Sequence, residues 1–192
     1  MFRKKALLFI FNGYCEFEIS AAISMLRETH DLYTISLQKN LCKSEAGLTT
    51  VPDLIINEAD PNDFDVLIIP GGDLQPIAEA KELFDWVKNF AEQGKVTAAI
   101  CSGAYVLAQA EVLKGIPYTV TLSKEQRNFL RCFDEETYIY QPLVRYKNIL
   151  TAQGHAYVDF GIHLNKMVRE VKKETIDFYS GERNIYMESD SK

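Results

Sequence analysis

The sequence contains no apolar run that approaches the roughly 20 residues needed to span a membrane. It contains no block of lysine and arginine either: 27 acidic residues outnumber 21 basic ones, and the net charge of −6 makes nucleic acid a poor partner. The C-x-x-C and H-E-x-x-H patterns are also absent, so no spacing calls for a metal ion or another cofactor. The remaining composition, 47% apolar and 25% charged, is typical of a soluble globular protein.

The first residues resemble a secretion signal, because a basic cluster precedes an apolar run. That run, Ala6–Phe11, ends at Asn12-Gly13 without a small-residue cleavage site, and we therefore interpret it as a β-strand. Without a secretion signal, the four cysteines are predicted to be free thiols in a reducing compartment. We expect a cytoplasmic protein with no membrane partner.

Short apolar runs recur along the chain and predict strands that are buried on both faces of a parallel sheet. The clearest runs are Ala6–Phe11, Val66–Ile69, Val96–Ile100 and Ile149–Ala152, and weaker ones are Leu32–Leu37 and Leu54–Ile56. Helical stripes lie between them, one beginning at Leu83 and another running from Phe160 to Val171. This alternation predicts βαβ crossovers and therefore an α/β fold with a mostly parallel central sheet.

The domain organisation follows from the length and from the absence of a linker. We predict a single domain over residues 1–180 and a polar C-terminal tail over residues 181–192. The segment Lys114–Val144 is the hardest to assign. We interpret Tyr118–Leu122 and Tyr138–Gln141 as strands around a short helix at Lys124–Leu130.

The most distinctive local feature is Cys101, where the strand Val96–Ile100 runs directly into an apolar helix. Such a junction needs a tight turn with small residues two before and two after its tip, here Ala99 and Gly103, as in a nucleophile elbow. A sulfur at a helix N-terminus faces the positive end of the dipole, which predicts a lowered pKa and a reactive thiolate. The alternative that the residues leave open is an inert cysteine of the core.

Distinctive residues also follow the other strands, and ligands bind at the carboxyl ends of open parallel sheets. Gly71-Gly72 either places backbone N–H groups as an oxyanion hole or forms a plain turn. One of Glu16 and Glu18 is expected to be partly buried, with a raised pKa, and to hydrogen-bond the sulfur; the residues alone do not decide which. His155 is either a general acid or base or a structural residue.

Together these motifs resemble the ThiJ/PfpI family, within the class I glutamine amidotransferase-like fold. The resemblance rests on Gly13-x-x-Glu16-x-Glu18, the Pro-Gly-Gly that ends at Gly72, Ala99-Ile-Cys-Ser-Gly103 and Thr151-Ala-Gln-Gly154. It implies a flavodoxin-like three-layer α/β/α sandwich and often a homodimer. It also implies a Cys101–Glu18 pair, and so prefers Glu18 to Glu16.

Members of the family resemble hydrolases, glyoxalases or deglycases, isonitrile hydratases, intracellular peptidases, chaperones and sensors of oxidative stress. Ser102 stands where the peptidase branch has histidine, and no glutamate follows two residues after His155 as in the amidotransferases. The isonitrile hydratases carry Asp and Thr where this chain has Glu18 and Ser102. These departures weaken the three corresponding activities.

The function that we expect is that of a cysteine-dependent enzyme with a small carbonyl, acyl or amide substrate. In this hypothesis Cys101 attacks the substrate, Glu18 moves the proton, and His155 assists. Backbone N–H groups of the Gly71-Gly72 loop and of Ser102 bind the ligand or its oxyanion. The alternative is a non-enzymatic sensor or chaperone in which Cys101 is a redox-active thiol. Whether Cys15 joins the pocket stays open.

Overall fold

A computed structural model describes residues 3 to 182 of the chain. The strands and helices, in chain order, are β1 (Lys4–Phe9), α1 (Ser20–Leu26), β2 (His30–Ser36), β3 (Cys42–Lys43), β4 (Thr49–Thr50), β5 (Leu54–Ile55), β6 (Val66–Ile69), α2 (Lys81–Glu92), β7 (Val96–Ile100), α3 (Ala104–Gln109), α4 (Lys124–Leu130), β8 (Leu143–Tyr146), β9 (Ile149–Ala152), α5 (Tyr157–Val168) and α6 (Lys173–Ser180). Short 3₁₀ turns join several of them, and the turns at Cys101–Gly103 and Gly154–Ala156 belong to the site described below.

The central sheet has seven strands in the order β5-β2-β1-β6-β7-β9-β8. All neighbouring pairs are parallel except β8 with β9, while β3 and β4 form a separate antiparallel pair. Every residue of β6 and of β9 is buried, so both faces of the sheet need a cover. Helix α1 packs against α5, and α2 packs against α3. The predicted fold class, a mostly parallel α/β/α sandwich, is confirmed.

The register of the central strands places the functional loops next to one another. Ile69 at the end of β6 pairs with Ala99, and Ile100 at the end of β7 pairs with Ala152 at the end of β9. The residues that follow these three strands therefore leave the sheet side by side at one edge. Pro70-Gly71, Cys101 and Gln153-Gly154 are brought together in this way.

Several elements match the sequence-based predictions residue for residue, namely β6, β7, β9 and α4. The first strand begins and ends two residues earlier than the run Ala6–Phe11. The last long helix ends at Val168, before the Val171 that its apolar stripe includes. The short β3–β4 pair, β8 and α6 were not predicted. Residues 183–192, most of the predicted tail, lie outside the described residues.

The two strands predicted around α4 are wrong. Only a single bridge joins Tyr118 to Tyr138, and neither segment enters the sheet. Tyr118 is fully buried in an aromatic cluster with Phe133 and Tyr138, which accounts for the apolar pattern. The backbone N–H of Thr119 then donates to the side chain of Thr151 in β9, at 3.0 Å, rather than to a strand carbonyl. The segment therefore passes beside β9 and the end of β7 without joining the sheet.

Candidate active site

Cys101 occupies the tip of the predicted elbow. It follows β7 directly, opens the 3₁₀ turn that leads into α3, and has a φ of +56°, which is rare for a residue with a side chain. The small residue at position 103 is needed for a reason that the sequence did not indicate. A Cβ there would lie 2.4 Å from the carbonyl oxygen of Pro70, so Gly103 lets the elbow pack against the end of β6.

Glu18 is the carboxyl partner of this cysteine. It lies in the 3₁₀ turn Phe17–Ile19 and is 1% exposed. Its Oε2 accepts a hydrogen bond from the Gly71 N–H at 2.8 Å, and its carboxyl group lies within hydrogen-bonding reach of the Cys101 thiol. Glu16 is less buried, and its carboxylate lies 3.5 Å from the Ala46 N–H. The tertiary structure thus separates the two glutamates that the residues alone left equivalent.

The pKa of the Cys101 thiol is higher than its position at a helix N-terminus predicts. Burial raises the pKa of Glu18, as predicted. Burial, together with the Glu18 carboxyl, also raises the pKa of Cys101, to about 11. The prediction of a lowered thiol pKa is therefore wrong, because hydrogen bonds from the Ser102 N–H and Thr121 lower it by less than burial raises it. The resting site therefore pairs a thiol with the Glu18 carboxyl group.

Two glycines close one side of the sulfur. A Cβ on Gly71 would lie 3.1 Å from the Cys101 Sγ and 2.7 Å from the Glu18 Oε2. A Cβ on Gly154 would lie 3.1 Å from the same sulfur and 2.8 Å from the Glu18 Oε1. The backbone after β6 and the backbone after β9 therefore lie so close to Cys101 and Glu18 that a side chain at Gly71 or Gly154 would displace the pair.

The N–H groups expected to form an oxyanion hole already have partners within the protein. The Gly71 N–H donates to Glu18, and the Gly72 N–H donates to the Ser102 hydroxyl at 2.9 Å. That hydroxyl donates in turn to the Gly72 carbonyl at 3.0 Å. The Ser102 N–H is the donor that faces the sulfur. Of the expected set, Ser102 therefore lies nearest to where an oxyanion would form.

His155 is not brought to the pair. It is exposed, and among residues 3–182 no hydrogen bond joins its imidazole to Cys101 or Glu18. The 3₁₀ turn Gly154–Ala156 rotates about 120° per residue, so when Gly154 faces the sulfur the next side chain points elsewhere. The geometry brings Glu18, and not His155, to Cys101, and a catalytic role of His155 stays a prediction.

Cys15 borders the site but its thiol is turned to another acid. Its N–H donates to the Gly71 carbonyl at 2.9 Å, and its thiol donates to Glu45 at 2.5 Å. Burial and this hydrogen bond raise the pKa of Cys15. Although two thiols and two carboxyl groups lie in one region, no group of three or more His, Cys, Asp or Glu side chains within residues 3–182 is arranged to hold a metal ion.

Thr121 and Gln153 are site residues that sequence reasoning missed. The Thr121 hydroxyl accepts a hydrogen bond from the Gly154 N–H at 2.9 Å and lies 3.0 Å from the Gln153 Oε1. Gln153 is 5% exposed and was noted only as part of a loop motif. No local signal points to Thr121, since its segment reads as a strand and the contact spans about thirty residues of chain.

A cleft of about 500 Å³ opens beside the elbow. Its walls are the loop after β6 and helix α4, and it borders the elbow at Gly72 and Ser102. The apolar residues of its lining are Leu74, Leu122, Phe129 and Leu130, and the polar ones outside the elbow are Asp73, Glu125 and Gln126. Phe129 is 83% exposed, so this wall can meet a ligand directly.

A known protein family has this fold and this elbow. The family model of the DJ-1/PfpI family matches residues 4–167. The chain belongs to the DJ-1/PfpI family. The resemblance drawn from the motifs is thereby confirmed, and the match includes every strand of the central sheet together with Cys101 and Glu18.

Relatives within the DJ-1/PfpI family carry different names. The deglycase TK1284 of Thermococcus kodakarensis is 33% identical over 121 residues, which cover 62% of this chain and 73% of that protein. The uncharacterized protease YdeA of Bacillus subtilis is 28% identical over 177 residues, which cover 91% of this chain and 88% of that protein.

Solved structures agree on the fold. A ThiJ/PfpI family protein from Bacillus anthracis superposes with a TM-score of 0.84 at 23% identity, covering 94% of this chain and 90% of that one. The DJ-1 superfamily protein Atu0886 from Agrobacterium tumefaciens superposes with a TM-score of 0.82 at 23% identity, covering 94% and 100%. Within residues 3–182 no helix has the length and apolarity to cross a membrane.

Proposed function

We propose that this protein is a cysteine-dependent enzyme that acts on a small carbonyl or acyl substrate, as a deglycase or glyoxalase does, with Cys101 as nucleophile and Glu18 as its proton acceptor. The observation that carries the proposal is the buried Glu18 carboxyl group beside the Cys101 sulfur, at the strained tip of the elbow and next to the cleft. Positive φ at a residue other than glycine is costly and concentrates at functional sites. A core cysteine would need neither the strain nor a buried acid.

The pair supplies the nucleophile by proton transfer. Because its pKa is raised, the Glu18 carboxylate is a stronger base than an exposed glutamate. As the Cys101 sulfur bonds to the carbonyl carbon, the thiol proton passes to Glu18 along their hydrogen bond and the C=O electron pair moves onto oxygen. The Ser102 N–H stabilises that oxyanion, and the Gly72 N–H can join it once the Ser102 hydroxyl turns away.

The size of the cleft favours a substrate with more than a few atoms. A volume of about 500 Å³ falls in the range of sites for small molecules and exceeds what a three-carbon aldehyde fills. A methylglyoxal adduct of an amine suits both parts of the site, with its carbonyl carbon at Cys101 and its amine in the cleft. Transfer of one proton from the carbinol carbon of such an adduct to its carbonyl carbon, which Glu18 can carry, gives a lactoyl amide. Cys101 then attacks the amide carbonyl, the C–N bond breaks as Glu18 returns a proton to the leaving amine, and water hydrolyses the thioester to lactate and free thiol. The sequence needs no external oxidant.

The test is turnover of methylglyoxal, its amine and thiol adducts, and a panel of small esters and amides. We expect Cys101→Ala to abolish turnover. Cys132→Ala is a matched control, because burial likewise raises the pKa of that half-buried thiol to about 11 but no carboxyl group accompanies it. Activity that survives in Cys101→Ala would exclude the mechanism.

The alternative, a redox sensor, uses the same thiol. A thiolate is the form that peroxide oxidises, and a pKa of about 11 leaves little of it at neutral pH. A raised thiol pKa therefore suits the enzyme, in which the proton leaves during attack, better than the sensor. Intact mass after mild peroxide treatment distinguishes the two: selective addition of oxygen at Cys101 with no turnover of any substrate would support the sensor.

The expected homodimer and cytoplasmic location stay proposals. Three apolar side chains, Phe17, Leu48 and Val51, are each more than half exposed and could be covered by a second copy. Light scattering on the purified protein would test the dimer, and a monomeric mass at micromolar concentration would count against it.

A further inference from the structure

The hydroxyl of Thr121 has more acceptors than it has protons. Its oxygen accepts a hydrogen bond from the Gly154 N–H at 2.9 Å, which fixes its position at the mouth of the site. From there it lies 3.0 Å from the Gln153 Oε1 and within hydrogen-bonding reach of the Cys101 sulfur, against which Gly154 itself packs. The Thr121 N–H faces the Cys101 carbonyl at 3.4 Å, so backbone and side chain both attach this residue to the elbow.

A threonine hydroxyl carries one proton and can donate to only one of the two acceptors at a time. Gln153 presents its oxygen to Thr121 in a fixed orientation, because its Nε2 donates to the Thr119 hydroxyl at 2.7 Å and to the Val120 carbonyl at 3.0 Å. While Cys101 is a thiol that donates to Glu18, the better acceptor for Thr121 is Gln153. Once the thiol proton has moved to Glu18, the negatively charged sulfur becomes the stronger acceptor.

We propose that the Thr121 hydroxyl is a catalytic hydrogen-bond donor that turns from Gln153 to the Cys101 thiolate when the proton passes to Glu18. No bond other than hydrogen bonds forms or breaks at Thr121, and its proton stays on its oxygen throughout. Thr121 and Glu18 have complementary roles: the Glu18 carboxylate removes the thiol proton, and the Thr121 hydroxyl stabilises the negative charge that remains on the Cys101 sulfur. The proposal rests on the proposed function only in taking Cys101 as the nucleophile.

The experiment measures alkylation of Cys101 by iodoacetamide between pH 7 and 11, followed by mass spectrometry of the Cys101 peptide. Thr121→Val removes the hydroxyl at nearly constant volume, and Thr121→Ser retains it. We expect Thr121→Val to lower the alkylation rate about tenfold below pH 10, equivalent to a rise of about one unit in the apparent thiol pKa. Thr121→Ser should stay within about twofold of the wild type.

Two further variants separate this effect from disturbance of the loop. Thr121 is exposed, so Thr121→Ala leaves no buried cavity and should show the same loss as Thr121→Val. Thr137→Val removes a hydroxyl that bonds the Asp134 carbonyl, in the segment paired with Tyr118, and should leave alkylation unchanged. A wild-type alkylation profile in either folded hydroxyl-free variant overturns the proposal.

Turnover is measured on the same variants with whichever substrate of the panel the wild type converts. We expect Thr121→Val to lower kcat about tenfold with KM unchanged, because the hydroxyl acts on the sulfur and not on the bound substrate. The alkylation assay needs no substrate. If the wild type converts nothing while Thr121 still governs alkylation, the proposed function fails and the role of Thr121 stands.

Discussion

The two sides of the Cys101 sulfur are built differently. On the closed side Glu18, Gly71 and Gly154 pack around it, and a single added carbon at either glycine would collide with the pair. On the open side Ser102 borders the cleft walled by α4, and Thr121 is exposed. In the proposed mechanism the closed side governs the proton, and the open side governs which substrates reach the sulfur.

The largest effect is expected from Glu18→Gln on the closed side. Without a proton acceptor the thiol is a poor nucleophile, and turnover should fall by about 10²- to 10⁴-fold. Wild-type activity should also fall at acid pH with a midpoint above 4.5, since burial raises the pKa of Glu18 and activity needs the carboxylate, which is lost as pH falls through that pKa. Steady-state rates from pH 4 to 9 measure both effects.

Glu16→Gln is the matched control for this change. Glu16 lies two residues earlier, its pKa is lowered by hydrogen bonds to backbone N–H groups, and it does not reach the sulfur. Activity and its acid limb should stay as in the wild type. Equal losses of activity in Glu16→Gln and Glu18→Gln would mean that activity depends on the negative charge of this turn as a whole and not on the Glu18 carboxyl group.

A smaller effect is expected from Gly154→Ala. The new Cβ would lie 2.8 Å from Glu18 and 3.1 Å from the sulfur, so the pair must separate. We expect turnover to fall at least tenfold and the free energy of unfolding to drop by about 1 to 3 kcal/mol. Activity assays and urea denaturation measure the two.

Gly115→Ala is the comparison, because a Cβ there meets no atom within 4 Å although its φ of +70° makes the change strained. It should cost stability and leave turnover unchanged. A fully active Gly154→Ala variant would show that the closed side accommodates a Cβ without separating Cys101 from Glu18.

The smallest effect is expected on the open side, from Phe129→Ala. Phe129 contributes apolar wall to the cleft and does not touch the pair, so KM for a bulky amine adduct should rise severalfold while kcat holds. Tyr140→Ala is the control, since Tyr140 is 84% exposed, as Phe129 is 83% exposed, but does not line the cleft. An unchanged KM in Phe129→Ala would remove the cleft from the proposed substrate site.

Much of the fold was readable from the sequence because the central strands are continuous apolar runs. The runs at Val66, Val96 and Ile149 became β6, β7 and β9 without a change of boundary. The segment around Tyr118 misled because an aromatic cluster buries its apolar residues as completely as a sheet would. An apolar sequence pattern indicates that a segment is buried but does not show whether a sheet or a side-chain cluster covers it.

The chain order of residues by itself determined the elbow at Cys101, since a strand that meets a helix without a loop has few ways to turn. Only the tertiary structure decided its chemistry. Glu18 and Gly71 are 53 residues apart in the chain, yet their contact and their burial place a thiol and not a thiolate at the elbow. Protonation and selectivity depend on desolvation and on distances between loops, and neither quantity is a property of a local stretch of sequence.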